Sequence, residues 1–294
     1  MEKEKILLDT DIGSDIDDAV CLAYLLRQPK CELMGITTVS GMPVERAKLA
    51  SVLCRAAGRA DIPIYPGTEL PLVTRPRQQG AAQRSVLPRY DHQTEFPMGQ
   101  HIEFMRRTIR ENPGEITLLA IGPMTNVALL FAVDPEIPKL LKRLVLMCGA
   151  FLPSREHPVV EWNALCDPYA CAMTYRADLA DHRSVGLDVT LQVTMPAEEV
   201  RKAFSDPLLK IVLDMAEVWF EKINLMTFHD PLTAVSLFDP EVCTFTRGNV
   251  DVEMQGDRTR GLTWWKADAE GKHYVATKVD RDRFFKEYFS VFSK

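Results

Sequence analysis

The stretch Ile6-Leu7-Leu8-Asp9-Thr10-Asp11-Ile12-Gly13-Ser14-Asp15-Ile16-Asp17-Asp18 passes from an apolar run into five carboxylates within ten residues. Its apolar part has strand length, Gly13 and Ser14 are turn formers, and Asp17–Arg27 has the apolar spacing of a helix, so the stretch reads strand, turn, helix. The same alternation recurs outward along the chain. Leu33–Val39, Ile116–Ile121, Leu144–Cys148 and Ser184–Asp188 are predicted strands. Helices are predicted over Pro43–Ala57, His101–Glu111, Met124–Ala132, Pro168–Tyr175, Leu208–Lys222 and Asp280–Phe289. Strands that are apolar throughout and separated by helices indicate a parallel sheet covered on both faces. Further on, Val242–Thr246, Val250–Met254, Leu262–Trp265 and His273–Thr277 are short β-rich pieces between Gly and charged turns, which predicts antiparallel structure. The expected fold class is therefore α/β: a single domain over residues 1–294, with an open, mostly parallel sheet, helices on both faces and a small antiparallel β addition near the C-terminus. Residues 70–98, rich in Pro, Arg and Gln, read as a functional flap or mobile insertion.

The 294 residues include 35 Lys plus Arg against 41 Asp plus Glu, a net charge of −6, and 46% are hydrophobic. A chain of this length buries a sizeable core without disulfide or metal staples. Scattered basic residues under an acidic excess give no footprint for a phosphate backbone, so no nucleic-acid partner is expected. The uncharged run from Ile116 to Val133 is broken by Gly122-Pro123 and Thr125-Asn126, which makes it core rather than membrane. The apolar run at Ile6 is too short for a signal segment, and the expected location is cytoplasmic. Seven cysteines, an odd number with no C-x-x-C pair, fit buried free thiols.

Carboxylates as dense as Asp9 to Asp18 repel one another unless a cation joins them. They follow a strand, at the end where open parallel sheets bind ligands, and oxygen-only donors favour Ca²⁺ or Mg²⁺ over Zn²⁺. Asp15, Asp17 and Asp18 also suit a helix N-cap and first turn. That reading leaves Asp9 and Asp11 unexplained, at alternate strand positions on one face. An EF-hand is excluded, because Gly13 stands where that loop needs a ligand. Phe228-His229-Asp230-Pro231-Leu232 ends an amphipathic segment with His and Asp before a Pro that starts a helix; taken alone it is equally an Asp cap after a chance histidine. Val160-Glu161-Trp162-Asn163 sets Glu161 and Asn163 at alternate positions, pointing the same way if extended; taken alone it is an exposed strand edge.

These segments are joined by Ile121-Gly122-Pro123-Met124-Thr125-Asn126, Leu146-Met147-Cys148-Gly149-Ala150, Asp167-Pro168, Gly186-Leu187-Asp188-Val189-Thr190 and Thr259-Arg260-Gly261. In order and spacing the set resembles the inosine-uridine-preferring nucleoside hydrolase family over nearly the whole chain. The resemblance implies hydrolysis of the N-glycosidic bond of purine or pyrimidine ribonucleosides at a bound Ca²⁺, by a homodimer or homotetramer. It implies Ca²⁺ held by Asp11, Asp18, Asp230 and the Ile121 carbonyl, with sugar hydroxyls completing the shell. The ion would orient and acidify a water whose proton passes to Asp11. Asp17 would bind the ribose 2-hydroxyl, and Glu161 and Asn163 the 3- and 5-hydroxyl side. Met147 matches a position lining the sugar face, or is core filler. His229 would protonate or polarise the departing base, and the carboxylates would favour a ribosyl cation in the transition state.

The chain also departs from the usual pattern. Two extra residues separate Asp11 from the acidic pair, so Asp18 is assigned as ligand because Ala19 and the following helix keep register, and Asp15 is left as a ligand or sugar contact. Met42 and Arg155 stand where sugar-contacting Asn residues are expected. They either adapt the pocket to a modified substrate, such as one with an anionic group facing Arg155, or are a core filler and a solvated loop charge. His92 lies in the flap without a clear match, His157 reads as a surface-loop residue, and Trp162, Trp264 and Trp265 read as packing residues. Haloacid-dehalogenase-like phosphotransferases also open with a strand and Asp-x-Asp, but here Ile12-Gly13-Ser14-Asp15 replaces their Gly-Thr, and Asp15 opposes phosphate. A Ca²⁺-dependent ribose or nucleoside binder without turnover is the non-enzyme alternative. A base and an acid flanking one bond argue against it.

Overall fold

The protein, seen in a computed structural model, is described over residues 3–152 and 160–293, so Arg155 and His157 lie outside the described residues. Eleven strands occur among these residues: β1 (Glu4–Thr10), β2 (Cys31–Thr38), β3 (Ile64–Pro66), β4 (Ile116–Ala120), β5 (Arg143–Met147), β6 (His182–Val185), β7 (Thr194–Pro196), β8 (Leu225–Thr227), β9 (Cys243–Val252), β10 (Thr263–Ala267) and β11 (His273–Val279). Nine form one sheet in the order β10-β9-β11-β6-β5-β4-β1-β2-β3, and β7 pairs with β8 apart from it. From β11 to β3 every neighbour is parallel; β9 runs antiparallel to both β10 and β11. The α/β class with its antiparallel addition is thus present.

Alternation along the central strands builds two cores. Ile6 and Leu8 of β1, Leu119 at the end of β4 and Val145 of β5 pack on one face with the helices Asp17–Arg27, Pro43–Ala56, Pro207–Phe220 and Arg281–Ser290. Leu7, Leu118, Leu144 and Leu146 pack on the other with His101–Glu111, Thr125–Val133 and Pro168–Arg176. Every such side chain is at most 2% exposed, and full burial of each contributes about 1.5–3 kcal/mol. All seven cysteines are free and buried. Among the described residues no helix is long and apolar enough to cross a membrane.

Several predicted edges move for local reasons. The strand expected to reach Asp188 stops at Val185, and Leu187–Thr190 is one helical turn. There Asp188 accepts the backbone N–H groups of Phe151 and Leu152 at 2.7 and 2.9 Å, drawing the chain out of the sheet. The two pieces Val242–Thr246 and Val250–Met254 are one strand, β9, because partners on both sides pair it straight through Arg247-Gly248-Asn249. Within the flap, Ala82–Arg89 is a 3-10 helix, and Leu72 N–H donates to Asp167 at 2.8 Å, so the segment is anchored to the body.

Candidate active site

Strand order reverses between β1 and β4, and the crevice outside their carboxyl ends is where a doubly wound sheet offers its ligand site. β1 delivers Thr10 and Asp11 there, and β4 delivers Ile121. Gly13 turns the chain with φ +118°, a left-handed conformation that a side chain would strain. Gly122 lets β4's end lie so close to β1's that an added Cβ would press on the Asp11 carboxylate and Val39.

The five carboxylates divide by position. Asp9 does not face the crevice: it is buried, accepting the Thr37 hydroxyl at 2.5 Å and the Asn126 amide at 2.7 Å, and its Oδ2 has no partner. Burial pushes it up to about 7 despite these donors, with the Asp11 charge adding to the rise. Asp11 accepts the Gln78 side-chain amide on Oδ2. Asp18 accepts the Thr10 hydroxyl at 2.5 Å and the Asp11 N–H at 3.2 Å. No side chain caps the helix Asp17–Arg27, whose N-cap is Ile16, while Asp17 and Asp18 do occupy its first turn. Asp17, Asp18 and Asp230 instead converge, with carboxylate oxygens within 4.8 Å of one another. Burial, then mutual repulsion, drives all three well above the ordinary carboxylate range. Asp15, its Oδ1 on the Ile16 N–H at 2.6 Å, is pushed up to about 7, again chiefly by burial.

His229 and Asp230 open the helix His229–Val235 rather than precede it, so Asp230 reaches the site from a first helical turn. His229 Nδ1 pairs with Thr190 Oγ1 at 2.7 Å, and burial lowers its imidazole to about 4. Glu161 and Asn163 do not alternate along an extended segment: Glu161 is the N-cap of helix Trp162–Cys166, accepting N–H groups from Asn163, Ala164 and Gly149 at 2.7, 3.0 and 3.2 Å. Asn163 Nδ2 donates to the Ile121 and Met147 carbonyls at 2.8 and 3.1 Å. A cavity of about 640 Å³ takes in Asp11, Asp15, Asp17, Asp18, Ile121, Met147, Glu161, Asn163, His229 and Asp230.

Three comparisons bear on this arrangement. The sequence profile of the inosine-uridine preferring nucleoside hydrolases matches residues 6–286. The chain belongs to this family. It is 32% identical over 287 residues to a probable uridine nucleosidase 2 of Arabidopsis thaliana, covering 89% of this chain and 85% of that one. It is 30% identical to a pyrimidine-specific ribonucleoside hydrolase of Salmonella paratyphi B, over 95% of each chain. In fold it superposes on a purine-preferring ribonucleoside hydrolase from Gardnerella vaginalis with TM-score 0.83 at 24% identity, over 98% of both chains. As a nucleoside hydrolase the chain is an enzyme acting on N-glycosyl bonds, and a ribonucleoside is its class of substrate.

Other residues of this hydrolase's cavity were not singled out by sequence. Gln78, from the flap, links Asp11 to Trp162, whose indole N–H it accepts at 2.5 Å. Trp162 is 49% exposed and lines the cavity instead of packing in a core. Trp219 and Lys222 reach the same cavity. Arg46 is fully buried, bonded to the carbonyls of Asp11, Ile12, Gly41 and Gly80 and to Ser14 Oγ, and so ties three loops together. Met42 lies outside the cavity, on a left-handed backbone (φ 66°) with its sulfur 3.1 Å from Arg84 Nη1. His92 is likewise outside it, its Nδ1 2.8 Å from the Tyr90 carbonyl oxygen.

Proposed function

We propose that the chain is a Ca²⁺-dependent ribonucleoside hydrolase in which Asp11 accepts a proton from the attacking water and His229 serves the departing base. The observation that carries this is the convergence of six carboxylates, Asp11, Asp15, Asp17, Asp18, Glu161 and Asp230, with Asn163 and His229 on one cavity. The donor set fits a hard cation: Asp17, Asp18 and Asp230 are buried, closely spaced and all-oxygen. The proposed ligand set is Asp11, Asp18, Asp230 and the Ile121 carbonyl; Asp17, which shares the acidic cluster and accepts the Asp230 N–H on Oδ2 at 3.4 Å, is proposed to bind the ribose 2-hydroxyl. Bound Ca²⁺ supplies a positive centre that orients a water and lowers its pKa.

The residues divide the rest of the work. Gln78 engages Asp11 Oδ2 and leaves Oδ1, free of protein donors, to take a proton. Asn163 has both amide hydrogens on carbonyls, so its Oδ1 is the acceptor for a sugar hydroxyl. Glu161 gives most of its lone pairs to backbone N–H groups; it holds the Asn163 turn and adds negative charge beside the sugar. The fixed carboxylates favour the positive charge that grows on the ribosyl group as the bond breaks. His229 is neutral at pH 7, and in the tautomer we propose, with Nδ1 accepting from the Thr190 hydroxyl, it carries its proton on Nε2 for the base.

The names of the two sequence relatives put pyrimidine ribonucleosides first among substrates. We also take residues 1–294 as one domain and the working form as a homodimer or homotetramer, which light scattering checks. The test of function is release of free base from a nucleoside panel, with and without chelation. Uridine turnover that is lost in Asp11→Ala and on chelation, and restored by Ca²⁺, supports the reading. Absence of release from every nucleoside overturns it.

A further inference from the structure

A second cavity, of about 730 Å³, adjoins Trp162. Trp162 and Arg77 line both cavities, so the two spaces are neighbours that meet at these side chains, and Trp162 is held by its bond to Gln78. The two spaces have opposite charge. The second is lined by Arg75, Arg77 and Arg260 against a single carboxylate, Asp257. Among the described residues neither Arg75 nor Arg77 has an ion-pair or hydrogen-bond partner. Arg260 meets Asp257 at 3.4 Å, but that carboxylate is 98% exposed and neutralises little in water. The Arg260 Nε is buried without a partner, while the side chain as a whole is 35% exposed and so offers its outer nitrogens to the cavity.

We propose that this second cavity is an anion subsite, and that the enzyme takes ribonucleosides bearing a phosphate on the 5′ side of the sugar, a nucleoside 5′-monophosphate. The inference rests on the reading above that the sugar lies at Asn163, next to Trp162. Guanidinium groups present planar forks that match phosphate oxygens in pairs. The acidic cavity repels a phosphate and the basic one attracts it, so the two fields orient such a substrate one way only, with C1′ at Asp11. In the reaction the bond from C1′ to the base nitrogen breaks, water oxygen bonds to C1′, and one water proton ends on the base. The products are free base and ribose 5-phosphate.

The test compares kcat/KM for uridine and uridine 5′-monophosphate in the wild type and in Arg75→Gln, Arg260→Gln and the double variant. The expected result is a preference for the monophosphate of about 10- to 100-fold, the scale of a charge-assisted contact or two. The double variant abolishes that preference while changing uridine turnover less than about 2-fold. Ribose 5-phosphate competes better than inorganic phosphate. Equal use of the two substrates, a preference that survives the double substitution, or competition by inorganic phosphate as strong as by ribose 5-phosphate overturns the proposal. If neither substrate is cleaved, the hydrolase reading fails and calorimetric binding decides the subsite: tighter binding of the monophosphate that Arg75 and Arg260 supply supports it, and equal binding overturns it.

Discussion

Asn163 has one acceptor facing the cavity and no spare hydrogen, because the Ile121 and Met147 carbonyls hold both. Replacing the amide by a carboxylate removes two donors and sets a carboxylate oxygen opposite two carbonyl oxygens. Asn163→Asp is expected to lower kcat/KM for uridine by about 100-fold, the cost of unpairing buried polar groups, as measured by base release. At His229, burial has moved the imidazole below its usual range, to about 4. A lowered value means that the proton is already lost by about pH 5, so this ring gives no inflection in kcat/KM near pH 6.5. Removing it in His229→Ala lowers kcat by about 10²- to 10⁴-fold without changing the shape of the profile from pH 6 to 8. A wild-type inflection near 6.5 that vanishes in His229→Ala would show a charged imidazole at work instead.

Between elements, the acidic loop keeps its shape through Arg46. Its guanidinium leaves the helix Pro43–Ala56 to hold carbonyls at 11, 12, 41 and 80, so three loops share one donor group. Arg46→Met leaves these buried acceptors unpaired and is expected to cost about 3 kcal/mol, seen as a lower urea midpoint, with loss of uridine turnover in the protein still folded. Arg46 was not legible in the sequence, since an arginine in an amphipathic helix looks the same whether it meets water or four distant carbonyls. Gln78 and the cavity-lining place of Trp162 were hidden likewise, for their partners are 67 and 84 residues away. What could be read were features with local periods or local charge. The apolar run Ile6-Leu7-Leu8, the helix His101–Glu111 and the crowding of Asp9 to Asp18 each appear within a dozen residues. The three-residue strands β3, β7 and β8 are too short to show a period, and pairing alone defines them.

Across the molecule, the acidic site sets stability against pH. Burial raises Asp9 and Asp15 to about 7 in the folded chain, against an ordinary value of 3.8, and burial with mutual repulsion holds Asp17, Asp18 and Asp230 well above that ordinary value. A raised carboxyl makes the native state bind more protons than the unfolded one, so stability falls as pH rises between these values. Chelated protein is therefore expected to be most stable near pH 4 to 5 and to lose stability towards pH 7. Added Ca²⁺ reverses the trend by replacing protons at the same oxygens, adding about 2.7 kcal/mol at a hundred times its Kd. Thermal melts across pH, with and without chelator, check this, and a chelated protein that gains stability from pH 5 to 7 contradicts it.

The convergence of Asp17 and Asp18 with Asp230 also fixes an order of events during synthesis. The first two carboxylates leave the ribosome early, in a helix that packs chiefly on His229–Val235 and Pro207–Phe220, whereas their partner is more than two hundred residues behind. A nascent chain therefore carries an incomplete and self-repelling acidic pocket through most of its translation, and the last ligand is set only after β8 has emerged and His229–Val235 docks on Asp17–Arg27. On the proposed ligand set, metal capture is then a late step, open only once Asp230 has emerged and with β9, β10 and β11 still to be added to the sheet.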